Sequence, residues 1–308
     1  MNKSVLITNS VTKVFGKTKA VSSVNMKINK GDVYGFIGEN GAGKTTIIRL
    51  ITGLINPTKG DYTLFGINSK NKEIEKAKKR MSAVVETPSL YLNMNARDNL
   101  IQQCILLGIN DYSCIDTILD TIGLSEQKKG KKHSKNYSLG MKQRLAIGIA
   151  LVGNPDFIVL DEPMNGLDPE GIVEIRELII KLNREDGITF LISSHILDEL
   201  SKMATKYGFI HKGQLIRELT CAELNAESRK CIELVLSSTE NIPVILDKHG
   251  LKEYTILSNS VVRIYGDIEI NVLVSEIKKE KINIIRINYK DESVEEFYLN
   301  TMGGLKNA

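Results

Sequence analysis

Residues Gly38-Glu39-Asn40-Gly41-Ala42-Gly43-Lys44-Thr45-Thr46 fit the pattern G-x-x-x-x-G-K-[ST], and no other segment limits the fold of this chain so sharply. The run before it, residues 33–38, reads as a buried strand. The run after it, residues 45–55, carries apolar residues at helical spacing and stops before Asn56-Pro57. Glycines let the backbone turn tightly enough to aim successive N–H groups at one anion. The N-terminus of the following helix adds partial positive charge. A strand, a glycine turn and a helix in this order predict a loop that cradles the phosphates of a nucleotide. Lys44 would reach the β- and γ-phosphates, and the Thr45 hydroxyl would ligate Mg²⁺.

A second segment answers the first. Phe157-Ile158-Val159-Leu160 is an apolar run that ends in two adjacent carboxylates, Asp161 and Glu162. Taken alone, such a pair reads as a helix cap or a surface acidic pair. Downstream of a phosphate loop it reads differently. Asp161 is placed to hold Mg²⁺, directly or through water. Glu162, one residue on, is placed to polarise an attacking water.

The rest of the chain alternates between strand and helix patterns. Residues 4–9 and 24–38 read as short strands with polar turns. Residues from about 70 to 155 are mostly helical in pattern, and the lysine-rich stretches 72–80 and 128–135 read as solvated faces. Residues 172–185 form an amphipathic helix, 188–194 a second buried strand, and 208–218 a hairpin turning at Lys212-Gly213. This alternation predicts a largely parallel α/β sheet. Near residue 225 the texture changes. Strand, helix, strand, strand, helix, strand and a closing helix follow between residues 231 and 302, an order that is ferredoxin-like. The expected division is therefore residues 1–225 and residues 226–308.

Composition excludes several classes. The chain has 308 residues, 42% hydrophobic and 25% charged, as in an ordinary globular protein. A formal charge of +4 is too weak to argue for nucleic acid. No window approaches about eighteen consecutive apolar residues, so no membrane span is expected. The first fifteen residues show no secretory signal. The four cysteines, Cys104, Cys114, Cys221 and Cys231, make no C-x-x-C pair and read as reduced thiols.

The motifs together resemble the ATP-binding-cassette (ABC) family over roughly residues 3 to 225. Tyr137-Ser138-Leu139-Gly140-Met141 stands where that family carries a Leu-Ser-Gly-Gly-Gln signature, keeping the Ser and the second Gly while Leu139 and Met141 replace the first Gly and the Gln. Without the family it would be a plain helix start capped by Ser138. The resemblance implies that Ser138, Leu139, Gly140 and Met141 meet the γ-phosphate of ATP bound to a second copy. Asn165-Gly166-Leu167-Asp168 resembles the D-loop, with Asp168 at the dimer interface. His195 resembles the switch histidine that contacts the γ-phosphate, although a lone His after a strand more often has a structural role. Phe15 resembles the aromatic that stacks on adenine; by itself it reads as core.

One departure narrows the subgroup. The loop that senses Mg²⁺ and faces the permease normally carries Gln, and here Glu86 takes that place. A carboxylate ligates Mg²⁺ or polarises water more strongly, and adds negative charge beside the triphosphate. With Asn95–Leu100 and the altered signature, Glu86 makes the chain similar to the bacitracin and lantibiotic exporters of Gram-positive bacteria. That resemblance implies a P-loop NTPase of ABC type, with a RecA-like core, an antiparallel β subdomain and a helical subdomain, followed by a small α+β domain. It implies ATP and Mg²⁺ as cofactors and an ATP-sandwich dimer. It also implies an integral-membrane permease as partner and a place on the cytoplasmic face of the membrane. Other exporters of drugs, lipids or polysaccharides share the shortened signature. A soluble superfamily member acting in translation or DNA repair would usually carry two cassettes or a long coiled coil. An importer subunit would lack the Glu86 form, and a non-enzymatic binding module is disfavoured by Glu162 and His195 together.

Overall fold

The computed structural model describes residues 3–86, 89–228, 230–265 and 269–306. The chain divides into two compact units, Met1–Cys221 and Ala222–Ala308.

The first unit opens with β1 (Ser4–Phe15), β2 (Thr18–Val24), β3 (Lys27–Asn29) and β4 (Val33–Ile37), then α1 (Lys44–Ile51). It continues with β5 (Lys59–Leu64), β6 (Ile67–Asn68), α2 (Ile74–Lys78) and β7 (Met81–Val84). Three helices follow, α3 (Ala96–Leu106), α4 (Cys114–Thr121) and α5 (Leu139–Leu151). The unit returns to alternation with β8 (Phe157–Asp161), α6 (Pro169–Asp186), β9 (Thr189–Ser194) and α7 (Leu197–Ser201), and ends in β10 (Lys206–His211) and β11 (Gln214–Thr220).

These strands form two sheets. One is antiparallel, in the order β2-β1-β5-β6 with β3 paired to β1. The other has the order β11-β10-β4-β9-β8-β7 and is parallel except for the β10–β11 hairpin. Strands β4, β8 and β9 lie inside it and are buried at every position. A parallel strand covered on both faces has no solvent side, so an unbroken apolar run suits it better than alternation. Apolar residues of both sheets, among them Leu6, Val21, Phe36, Phe157 and Leu191, share one core with Ile47 and Ile48 of α1. The hairpin turns where the sequence places it: Lys212 and Gly213 both have positive φ, 45° and 78°, as a two-residue turn between twisted strands requires.

The helix ends follow local chemistry. Asp168 caps α6 by accepting the Gly171 N–H at 3.1 Å, Pro169 occupies the first turn, and Gly187 closes the helix in the left-handed region. Ser138 caps α5 through the Met141 N–H at 3.2 Å. Each cap is worth about 1 kcal/mol.

The structure adds detail to two of these readings. The stretch 70–155 is not helical throughout: Met81–Val84 is a strand, pairing in parallel with β8 from Met81↔Phe157 to Val84↔Leu160. Four residues at a sheet edge are too few to display a period of two. The compact units part at Cys221–Ala222, at the start of a helix α8 (Cys221–Glu227) that directly follows β11 and contains residue 225.

The second unit contains β12 (Lys230–Leu236), α9 (Ile242–Lys248), β13 (Tyr254–Ser258), β14 (Val261–Tyr265), α10 (Ile270–Lys279), β15 (Ile284–Asp291) and α11 (Val294–Lys306). Its sheet has the order β13-β14-β12-β15 with every pair antiparallel, so the last strand lies beside the first. Leu234, Leu246, Val262, Leu273 and Ile277 form its core. Glu233, nearly buried on the sheet, is neutralised by Arg263 Nε at 2.9 Å and Lys290 Nζ at 2.7 Å. These partners hold its carboxyl below the usual glutamate range, Lys290 contributing most. Among the described residues Cys104, Cys114, Cys221 and Cys231 are free thiols.

The larger sheet leaves one position with no room for a side chain. A Cβ on Gly208 would lie 2.1 Å from the Tyr34 hydroxyl, and Tyr34 is fully buried. Gly208→Ala is therefore predicted to destabilise the chain by about 1–3 kcal/mol. Urea unfolding measures this, and a midpoint equal to that of the parent would contradict it.

Candidate functional site

Strands β4, β9 and β8 are adjacent, and all three point the same way. Their registers, Ile37↔Ser194 and Asp161↔Ser193, bring their C-terminal ends level. Three sequence segments leave the sheet there together: the glycine loop, the Asp161-Glu162 pair and His195. Ligands of open α/β sheets bind beyond these carboxyl ends.

The glycine loop has little freedom. Gly41 and Gly43 take φ of 81° and 109°, and a Cβ on Gly43 would meet the Ala20 carbonyl at 2.9 Å. A Cβ on Gly38 would meet the Ile210 carbonyl at 2.6 Å. The Gly213 N–H donates to the Ala42 oxygen at 2.8 Å, so the β10–β11 turn props the loop from behind. Helix α1 starts with no side-chain cap, and its first intrahelical bond runs from Ile47 to Gly43 at 3.0 Å. The N–H groups of its first turn are thus left for an anion. Glu39, Asn40, Gly41, Gly43, Lys44, Thr45, Thr46 and Glu162 line a hollow of about 200 Å³.

Lys44 is buried and already partnered. Its Nζ donates to the Gly38 oxygen at 2.6 Å and lies 3.2 Å from Glu162 Oε1. That carboxylate oxygen is buried and accepts no hydrogen bond, so it relies on charge alone. The other oxygen, Oε2, lies 2.7 Å from His195 Nδ1. Glu162 itself has φ of 50°, a left-handed conformation that costs a non-glycine residue about 1 kcal/mol or more. Its N–H donates to Ser193 Oγ at 2.9 Å and lies 3.2 Å from the Ser193 carbonyl. Ser193 Oγ in turn donates to Asp161 Oδ1 at 2.5 Å, and Thr45 Oγ1 donates to Asp161 Oδ2 at 2.9 Å.

The structure therefore brings together Lys44, Thr45, Asp161, Glu162 and His195. Ser193 joins them and was not singled out from sequence. Its only sequence signal is a hydroxyl in the otherwise apolar run Phe190-Leu191-Ile192. Phe15 is no core residue: it ends β1 at the β1–β2 turn, is 49% exposed, and faces Lys13 Nζ at 5.1 Å.

Two sets of expected residues lie apart from the cluster. Ser138, Leu139, Gly140, Met141 and Asp168 line a second hollow, of about 500 Å³, where the N-termini of α5 and α6 meet. Tyr137, buried, donates from its hydroxyl to Gln127 and accepts the Ala96 N–H at 3.1 Å, anchoring this segment to the start of α3. Glu86, with φ of 62°, has a side chain more than half exposed and forms an ion pair with Arg49 of α1. Among the described residues no three His, Cys, Asp or Glu side chains converge as a metal-binding group.

Comparison with known proteins agrees with this geometry. A family model for ABC transporters matches residues 21–165. The bacitracin transport ATP-binding protein BcrA of Bacillus licheniformis is 38% identical over 98% of this chain and 98% of its own length. The lantibiotic transport ATP-binding protein SrtF of Streptococcus pyogenes is 42% identical over 68% of this chain and 88% of its own. Among solved structures, an ATP-binding cassette of an ABC transporter in its ADP conformation matches with a TM-score of 0.64 and 29% identity, covering 72% of this chain and 93% of that one. A dimeric cassette in a post-hydrolysis state with ADP and Pi matches at 0.62 and 25%, covering 70% and 98%. A likeness to BcrA that runs through both units, laid over a phosphate loop set beside a buried acid pair, makes this chain a member of the ATP-binding ATPases of ABC transporters.

Proposed function

We propose that this chain binds ATP with Mg²⁺ and hydrolyses it with Glu162 as the group that polarises water. We further propose that it thereby drives a separate permease exporting peptides of the bacitracin or lantibiotic type. The observation that carries the reading is the meeting of Lys44, Asp161, Glu162 and His195 at the level ends of three adjacent parallel strands.

The donor set fits Mg²⁺. Thr45 Oγ1 and Asp161 Oδ2 are oxygens 2.9 Å apart, hydroxyl and carboxylate, and a small hard cation is commonly held by one carboxylate plus substrate phosphates. Thr45 and Asp161 would hold it there, and its charge would offset the charge that develops on the transferring phosphoryl group. The remaining steps belong to the chain. Entering phosphates compete with Gly38 O and Glu162 Oε1 for Lys44, which frees Glu162 Oε1. Freed, that oxygen can accept a proton from the attacking water, while His195 keeps Oε2 oriented. The N–H groups of the glycine loop and of α1 stabilise the phosphates without reorganising.

A second copy supplies the other wall. Ser138–Met141 and Asp168 sit at two helix N-termini that open on one hollow, a setting suited to the terminal phosphate of ATP held by a partner. Phe15, exposed at its turn, is free to stack on the adenine. For the permease, a hollow of about 340 Å³ lined by Ser89, Leu90, Tyr91, Asn99, Gln103, Leu106 and Ile149 offers a seat of mixed polarity, and Leu106 in it and Leu107 beside it are exposed. No helix among the described residues is long and apolar enough to cross a membrane. Attachment to the cytoplasmic face of the membrane would therefore come through that permease. The peptide-export reading is supported by the alignment with BcrA, which covers 98% of the chain, C-terminal unit included.

Glu162→Gln is predicted to keep ATP affinity and to cut turnover by at least about a hundredfold, the scale for losing a general base. It should also trap an ATP-bound dimer, visible by gel filtration; near-parental hydrolysis would remove Glu162 from this role. For Glu86 we propose a coupling role, because its pair with Arg49 ties the loop after β7 to the helix that begins at Lys44. Glu86→Ala is predicted to lower the peptide resistance of cells more than the basal ATPase of the purified chain, with Glu86→Gln milder on both. Cells carrying Glu86→Ala that resist as well as the parent would sink the coupling role.

Residues 1–225 are proposed as the nucleotide-binding domain and 226–308 as an accessory domain. A chain ending at residue 225 is predicted to fold and to gain thermal stability from ATP as the parent does. At ligand a hundredfold above Kd that gain is about 2.7 kcal/mol. Loss of solubility or of the ATP-dependent rise in Tm would make the tail part of the cassette's core.

A further inference from the structure

Ser193 is the one buried hydroxyl that touches both members of the acid pair. We infer that it is a positioning residue for hydrolysis, acting through Asp161 and Glu162 and touching neither nucleotide nor metal. The inference rests on the reading of this site as an ATP hydrolase and goes beyond it.

Its side chain is inaccessible to solvent and sits at the end of a strand whose preceding residues, Phe190, Leu191 and Ile192, are apolar and equally buried. A polar group there needs partners, and Ser193 has two. Its Oγ donates its one proton to Asp161 Oδ1 at 2.5 Å and accepts the Glu162 N–H at 2.9 Å. Both bonds follow from the Asp161↔Ser193 register of β8 and β9.

The first bond sets the plane of a carboxylate. With Oδ1 held by Ser193, Oδ2 is the oxygen turned to the Thr45 hydroxyl, on the side where Mg²⁺ is expected. Without it, Asp161 could rotate about its side-chain torsion, and Oδ1 would be left buried and unsatisfied. The second bond holds a strained backbone. Glu162 keeps its left-handed φ of 50° only while its surroundings fix it, and its N–H has two acceptors, both on Ser193. The backbone angle of Glu162 aims its carboxylate between Lys44 and His195. One hydroxyl thus fixes the metal-facing oxygen and the direction of the water-polarising group together. Neither bond reaches the glycine loop, so the loop's grip on the phosphates should not depend on Ser193.

Ser193→Thr and Ser193→Val test this as an isosteric pair that differs only in the hydroxyl. The purified full-length chains are assayed for kcat and KM for ATP, for the Mg²⁺ concentration giving half-maximal rate, for ATP binding in EDTA, and for Tm without nucleotide. Ser193→Val is expected to lose at least about tenfold in kcat and to need several-fold more Mg²⁺, with ATP binding in EDTA within about twofold of the parent. Ser193→Thr is expected to stay within about threefold of the parent on every measure. Equal kcat and equal Mg²⁺ requirement in the two variants would overturn the inference. So would a Ser193→Val chain that loses only Tm, since that is a packing role. If the added methyl prevents folding of both, Ser193→Ala carries the same comparison against the parent. A parent chain that does not hydrolyse ATP would instead overturn the hydrolase reading on which the inference stands.

Discussion

Hydrogen bonding between three parallel strands decides where everything else in the cassette can be. Because β4, β9 and β8 pair with Ile37 level with Ser194 and Asp161 level with Ser193, three loops distant in sequence must leave the sheet side by side. The strands can be interior only if they are apolar on both faces. The segments that carry chemistry are therefore forced beyond their ends, where backbone leaves the ladder and polar atoms are allowed. A one-residue slip between β8 and β9 would turn Asp161 away from Thr45 and bury Ser193 without partners.

Lys44 and Glu162 are each other's counter-charges at the site. Lys44, buried, is held by a carbonyl and a carboxylate, and Glu162 is shared between Lys44 and His195. This arrangement makes the site responsive. A phosphate that claims Lys44 changes the partner of Glu162, so binding at the loop is felt at the acid pair without motion of the sheet. Loss of one partner from such a pair strands a buried charge, which costs far more than the pair contributes.

Much of this was legible in sequence because the signals were local. The glycine loop, the acid pair and the Lys212-Gly213 turn each need particular residue types at fixed neighbouring positions. The order of strands and helices in the C-terminal unit was equally readable, through its alternating periods. What was not legible depended on neighbours far along the chain. Ser193 looked like one more polar residue near a strand end, since Asp161 and Glu162 lie some thirty positions away. Phe15 carried the marks of a core aromatic, and only the end of β1 at that residue puts it outside. Met81–Val84 was hidden behind the lysine-rich helical stretch 72–80 and becomes a strand because β8 offers an open edge. The partner of Glu86 in this structure, Arg49, lies thirty-seven positions earlier in the chain, and no local pattern announces that pair.

The turn at Lys212-Gly213 has a bearing on how the chain is made. It props the glycine loop through the bond from Gly213 to Ala42, and it binds β2 through the Ser22 N–H at 2.8 Å. The loop is encoded near residue 40, yet its support arrives 171 residues later, at Gly213 against Ala42. A nascent chain on the ribosome accordingly has the phosphate motif long before it has the shape that grips a phosphate. Nucleotide in the cell is then no help to the early chain, and stabilisation by ATP begins only when the hairpin has emerged and closed over the loop's back.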